Sequence, residues 1–267
     1  MRESEEFLSA GGLDADKLEL LEYLLEEEGL EEATGDDDRI RPRERGEHLP
    51  LSFAQQRLWF LDQLDPGSAA FNIAGALRMT GRLDTAALGR SLNEIVRRHE
   101  SLHTSFVASG GQPAQVVAPA PHLALPIEEL TAATGDERDE ELRRLMDEEA
   151  RKPFDLRESP QLRARLLRLS AEEHVLLLTM HHFVSDGWSV GVMVRELASL
   201  YEAYASGKDK SPLEELEIQY ADYALWQREH LTGGVLDNQL DYWREQLSGD
   251  LPVLQLPSEK PRSIAGG

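Results

Sequence analysis

Cysteine is absent from the 267-residue chain, which excludes a disulfide framework, a thiolate zinc site and a cysteine nucleophile. Long apolar runs are absent too. No stretch approaches the roughly 18 residues that cross a bilayer, and the opening residues Met1-Arg2-Glu3-Ser4-Glu5-Glu6 lack the apolar core of a secretory signal, so the expected address is cytoplasmic. Positive charge is scarce: 28 Lys and Arg stand against 50 Asp and Glu, for a net charge of −22. So acidic a surface repels phosphate backbones and argues against nucleic acid as a partner. The remainder is ordinary for a globular protein, with 40% apolar and 29% charged residues.

The charge is unevenly spread. Residues 1–48 hold 17 acidic and 6 basic side chains, a net −11, and the other 219 residues carry the remaining −11. Within the acidic segment Asp16 and Glu19 form a capping-box pattern, Leu18, Leu21 and Leu25 share a helical face, and Gly29 is a natural stop. A helix this short needs a packing partner, and two readings stay open: a linker helix lying on its own protein, or a docking helix that accepts another chain. Gly35-Asp36-Asp37-Asp38, followed by Arg39, Arg41, Arg43 and Arg45, reads as solvated linker.

From Pro50 onward strand and helix patterns mix. Strands are expected over 71–79, 104–107, 115–118, 162–169 and 174–180, the last two joined by the polar turn Ser170-Ala171-Glu172-Glu173. Helices are expected after Asp84 (Leu88, Leu92, Ile95 and Val96 on one face), over 136–151, from Trp188 (Val190, Val194, Leu197, Tyr201 and Tyr204), and over 220–231 and 237–247. This predicts a mixed α/β layer fold over residues 49–250. Residues 251–267 have no period and read as an extended exit segment.

Val175 to Met180 is the most apolar run and predicts a buried strand. At its end stand His181 and His182, then Asp186-Gly187 opening a helix. Alternation sends the two imidazoles to opposite faces, so one of them can face a cleft. Titratable groups at a strand end beside a helix N-terminus occupy a usual site position in α/β proteins, and imidazole suits proton transfer near neutrality. The competing structural reading is a satisfied core histidine and an Asp N-cap. Three other chemistries compete for these and neighbouring residues. His99-Glu100-Ser101-Leu102-His103 has the H-E-x-x-H spacing of zinc proteases, but it straddles a predicted helix end, so its histidines do not share a face. His181, His182 and Asp186 could be metal ligands only if adjacent histidines on a strand converged. Ser185 and Ser189 lack the elbow motif of a serine nucleophile.

His181-His182-Phe183-Val184-Ser185-Asp186-Gly187 also matches HHxxxDG, and it has company. Residues 52–61 (Ser-Phe-Ala-Gln-Gln-Arg-Leu-Trp-Phe-Leu), 98–106 (Arg-His-Glu-Ser-Leu-His-Thr-Ser-Phe) and 220–226 (Tyr-Ala-Asp-Tyr-Ala-Leu-Trp) resemble the first, second and fourth core motifs of nonribosomal peptide synthetase condensation domains. The four occur in that family's order over roughly residues 49–260. The resemblance implies a chloramphenicol-acetyltransferase-like lobe, a mixed sheet flanked by helices. The activity it implies is formation of an amide between a donor acyl thioester and an acceptor amine, both presented on the 4'-phosphopantetheine of carrier proteins, with no cofactor or metal bound directly. It makes His182 the catalytic position, His181 and Asp186 structural, and Gly187 the glycine bordering the thioester channel.

The implied partners are upstream and downstream peptidyl carrier proteins, the remaining lobe and an adenylation domain. An upstream synthetase or polyketide synthase subunit would dock through residues 1–48. Two alternatives share the resemblance: a docking or scaffold module without its own catalysis, and a related acyltransferase or epimerization-type domain. Two departures stand out. His103 replaces the arginine of RHExLRTxF that is thought to pair with the aspartate of HHxxxDG, so His103 and Asp186 are expected to be neighbours, with site order falling as pH rises. The motifs of the second lobe have no counterpart after Trp226, so this reading expects one lobe, inactive alone.

Overall fold

The computed structural model describes residues 39–130 and 135–252. The chain divides into two units, Met1–Ile40 and Arg41–Gly267. The helix read over residues 16–29, and the exit segment beyond residue 252, lie outside the described residues.

A four-stranded sheet positions the site. Its strands are β2 (Asn72–Thr80), β5 (Ile127–Glu129), β6 (Leu162–Ser170) and β7 (Glu173–His181), in the order β2-β7-β6-β5. β7 pairs antiparallel with both neighbours, and β5 alone runs parallel to β6. Both faces of β7 are covered, which is why Val175–Met180 reads as an unbroken apolar run rather than an alternating one. On one face Leu176, Leu178 and Met180 pack with Leu162, Ala164 and Leu166 of β6. They meet α2 (Thr85–Arg98) through Leu88, Leu92, Ile95 and Val96, and α4 (Gly187–Ala205) through Met193, Leu197, Leu200 and Tyr204. On the other face Val175, Leu177, Leu167 and Leu169 meet Leu145 of α3 (Gly135–Arg151). Each of these leucines contributes about 1.5–3 kcal/mol of burial. Arg163 and Arg165 of β6 pair with Glu149 and Glu128.

A smaller sheet, β1 (Leu49–Pro50), β4 (Gln112–Val117) and β3 (Thr104–Ser109), lies in the order β1-β4-β3. The β3–β4 hairpin turns through Gly110 and Gly111, whose φ angles of 58° and 80° favour glycine. Leu51, Phe106, Leu156 and Phe183 form the local core beneath it. Helix α1 (Phe53–Leu64) begins on a capping box in which Ser52 Oγ accepts from Gln55 N and the Gln55 side chain accepts from Ser52 N. α5 (Tyr220–His230) and α6 (Gly233–Gln246) follow, and α6 buries none of its residues.

The basic stretch read as solvated linker is fastened down from Arg43 onward. Asp222 of α5 is 0% exposed. It accepts from Arg43 N (3.0 Å) and from Arg45 Nε and NH2 (3.1 and 2.6 Å). An acidic partner buried 177 residues away, invisible in local sequence, turns Arg45 into an anchor.

Candidate active site

β7 delivers two adjacent imidazoles to different environments. His181, its last residue, is 3% exposed. Phe71 and Phe154 present edge-on rings with centroids 6.4 and 6.0 Å away, and Phe183 N–H donates to His181 Nδ1 at 3.1 Å. An accepting Nδ1 places the ring proton on Nε2. Burial, reinforced by the neighbouring His182, pushes its pKa down to about 4. His181 is therefore neutral near pH 7 and braces the turn.

His182 points outward and is exposed. Its backbone N–H donates to Phe71 O at 2.8 Å, tying the turn to the start of β2. Its ring Nδ1 lies 2.7 Å from Ser185 O. A carbonyl can only accept, so Nδ1 carries the proton and, in the neutral ring, Nε2 keeps its lone pair. The neighbouring cavity of about 390 Å³ is lined by Arg57, Leu58, Phe71, His182, Asp186 and Tyr220, among others.

Asp186 is the N-cap of α4. Its Oδ1 accepts from Ser189 N at 2.8 Å and from Ser189 Oγ at 2.6 Å, while Ser189 Oγ accepts from Asp186 N at 3.2 Å. These bonds hold the carboxyl below the usual carboxylate range, with a smaller contribution from the His182 ring. At Gly187 an added Cβ would meet nothing within 4 Å, so this chain itself leaves space over the first turn of α4.

The structure corrects the expected pairing of His103 with Asp186. His103 is buried, and its Nδ1 donates to Ala118 O at 2.5 Å while Ala118 N donates back to His103 O at 3.2 Å. The short imidazole stays beside its own strand end, and the Asp186 carboxylate is engaged by Ser189 instead. In the H-E-x-x-H segment α2 stops at Arg98 and a 3₁₀ turn occupies Glu100–His103. His99 Nε2 lies 2.7 Å from Glu196 Oε2, so the two histidines serve different neighbours. Ser189 Oγ is committed to Asp186 and Ser185 Oγ is buried without a partner; neither hydroxyl is bonded to a histidine side chain.

Three features escape a reading of the sequence alone. The Ser185 carbonyl orients His182, whereas the sequence offers Ser185 only as a nucleophile. Arg57 lines the cavity as its cation. Tyr220 lines the cavity, and its OH lies 2.9 Å from Ser52 Oγ, joining α5 to the start of α1 across 168 residues.

The condensation domain family model matches residues 45–266. One of the linear gramicidin synthase subunits of Brevibacillus parabrevis is 48% identical over 231 residues, which cover 85% of this chain and 3% of that protein. The crystal structure of the X-domain from teicoplanin biosynthesis aligns with a TM-score of 0.71 at 31% identity, covering 84% of this chain and 48% of that one. The first condensation domain of the calcium-dependent antibiotic synthetase, in complex with a substrate analogue, shares the fold (TM-score 0.68, 24% identity, 77% of this chain and 50% of that one). The chain thus spans about half the length of the solved structures it matches and a small part of its curated relative. With the family model matching residues 45–266, well over half the sequence, the chain belongs to the condensation domain family.

Proposed function

We propose that this chain supplies the His182 side of a site that forms an amide between two carrier-bound substrates. The acceptor amine attacks the carbonyl carbon of the donor thioester. The C–N bond forms, the C–S bond breaks, and the amine's surplus proton must travel to the leaving thiolate. The observation that carries this reading is the outward-facing His182 ring with Nδ1 held on Ser185 O, which leaves Nε2 free to take that proton and hand it on. An α-amine has a pKa near ~8, so part of it is already neutral at pH 7–8. Orientation of the amine and stabilisation of its developing charge therefore carry as much weight as proton removal. Asp186, held ionised at the helix cap, supports the imidazolium that forms in passing.

Both substrates arrive on the phosphopantetheine arms of upstream and downstream peptidyl carrier proteins. No cofactor is assigned to the chain itself. The acidic segment before Arg43, whose 15 acidic and 4 basic side chains carry a net −11, is assigned to docking the upstream protein. His182 is exposed, and a proton relay of this kind works best with water excluded, so residues 1–267 alone are assigned a negligible rate.

The test is amide formation from loaded donor and acceptor carriers, catalysed by the complete condensation domain that includes this chain. His182→Ala is expected to lower the rate about 10²-fold or more with the melting temperature kept. An unchanged rate in that variant, or full turnover by residues 1–267 alone, would contradict the proposal.

A further inference from the structure

A second cavity, of about 270 Å³, adjoins the turn that follows His182 and shares Val184, Ser185, Ser189 and Tyr220 with the first. Its walls come from the end of α2 (Ile95), the 3₁₀ turn (Leu102), the end of β7 (Met180), α4 (Met193) and the loop before α5 (Leu216, Ile218). No Asp, Glu, Lys or Arg lines it. The polar groups at its edge are mostly engaged already: His99 with Glu196, Gln219 with Arg98 O and Glu100 N, Tyr220 with Ser52, and Ser189 with Asp186. The Ser185 side chain is not. Ser185 borders both this cavity and the His182 cavity, its carbonyl holds the His182 ring, and its own hydroxyl is buried without a partner. Trp188, one residue past Gly187, borders the cavity while 81% exposed. Its ring extends the apolar lining of the hollow to the surface.

We infer that this cavity receives the apolar side chain of one of the two aminoacyl substrates, an inference that rests on the amide-forming reading above. A cavity of roughly 150 Å³ accommodates benzene, so this one has room for a leucine or phenylalanine side chain. A carboxylate or ammonium entering it would lose water without gaining a counter-charge. Ser185 couples the two cavities. A side chain seated behind the turn brings its own backbone past Ser185 Oγ, whose unused hydroxyl can donate to a substrate carbonyl while the reacting atoms lie at His182 Nε2. The substrate class is thus an uncharged, apolar aminoacyl group.

The experiment narrows the cavity from its exposed rim. Ile218→Trp and wild type, each in the complete condensation domain, are assayed with loaded carriers while donor and acceptor side chains are varied separately among Ala, Leu, Phe and Asp. The readout is the Leu/Ala ratio of kcat/KM, which a general loss of stability does not move. In Ile218→Trp that ratio is expected to fall about tenfold or more at one substrate position and to hold at the other, which also identifies whether donor or acceptor occupies the cavity. Leu/Ala ratios equal to wild type at both positions would overturn this inference and leave the amide-forming reading standing. A wild-type domain that joins no pair of loaded substrates would overturn both.

Discussion

At His181 burial and a like neighbour act in the same direction, and the result is a histidine that stays neutral to about pH 4. The unfolded chain protonates the same ring near pH ~6.5. Between those values the unfolded state binds the extra proton, so stability is complete above about 6.5 and falls as pH drops toward 4, by on the order of 3 kcal/mol in total. Chemical denaturation at pH 7.5 and pH 4.5 is expected to show that loss in wild type and to show it diminished in His181→Asn; an equal loss in both would assign it to other groups. The residue scale is also where sequence reading reaches its limit. Separation of His181 from His182 follows from strand alternation, whereas the partner of His103 depends on side-chain reach. Its imidazole bonds to Ala118, the residue just past the end of β4.

At the scale of elements, α2 and α4 are legible because each combines an N-cap carboxylate (Asp84, Asp186) with a 3.6-residue apolar stripe. The β6–β7 pair is legible because its strands are long and its turn is polar. Helix α1 is not: among its residues only Gln55 is buried, so no apolar stripe marks it, although the Ser52/Gln55 box announces its start. β5 has three residues, and a single parallel neighbour, β6, creates it; nothing in Ile-Glu-Glu demands a strand. The Asp186 cap gives an element-scale prediction. Asp186→Ala removes both bonds from Ser189 and is expected to cost about 1 kcal/mol, lowering the melting temperature by about 2–4 °C for a unit of this size. Asp186→Asn keeps the cap geometry and is expected to stay within a few tenths of a kcal/mol. Equal melting temperatures for all three proteins would show that Asp186 does not hold α4.

Over the whole molecule, the described unit buries one sheet on both faces and leaves the His182 side open, and it spans about half the length of the solved structures it matches. The class of fold can be read from four ordered motifs. Which hydrogen bond aims the imidazole cannot, because it depends on a backbone carbonyl three residues on. The chain has eight histidines, and two adjacent ones are assigned opposite tautomers by their partners: Phe183 N–H on His181 Nδ1, and Ser185 O on His182 Nδ1. The ¹⁵N spectrum of histidine-labelled protein near pH 7, assigned with His181→Asn and His182→Gln, reads every ring at once. The predicted result is a protonated Nε2 on His181 and, in the neutral ring of His182, a protonated Nδ1 with a bare Nε2. A His182 that carries its proton on Nε2 would have no lone pair facing the cavity, and the assignment of that ring as the proton acceptor would be contradicted.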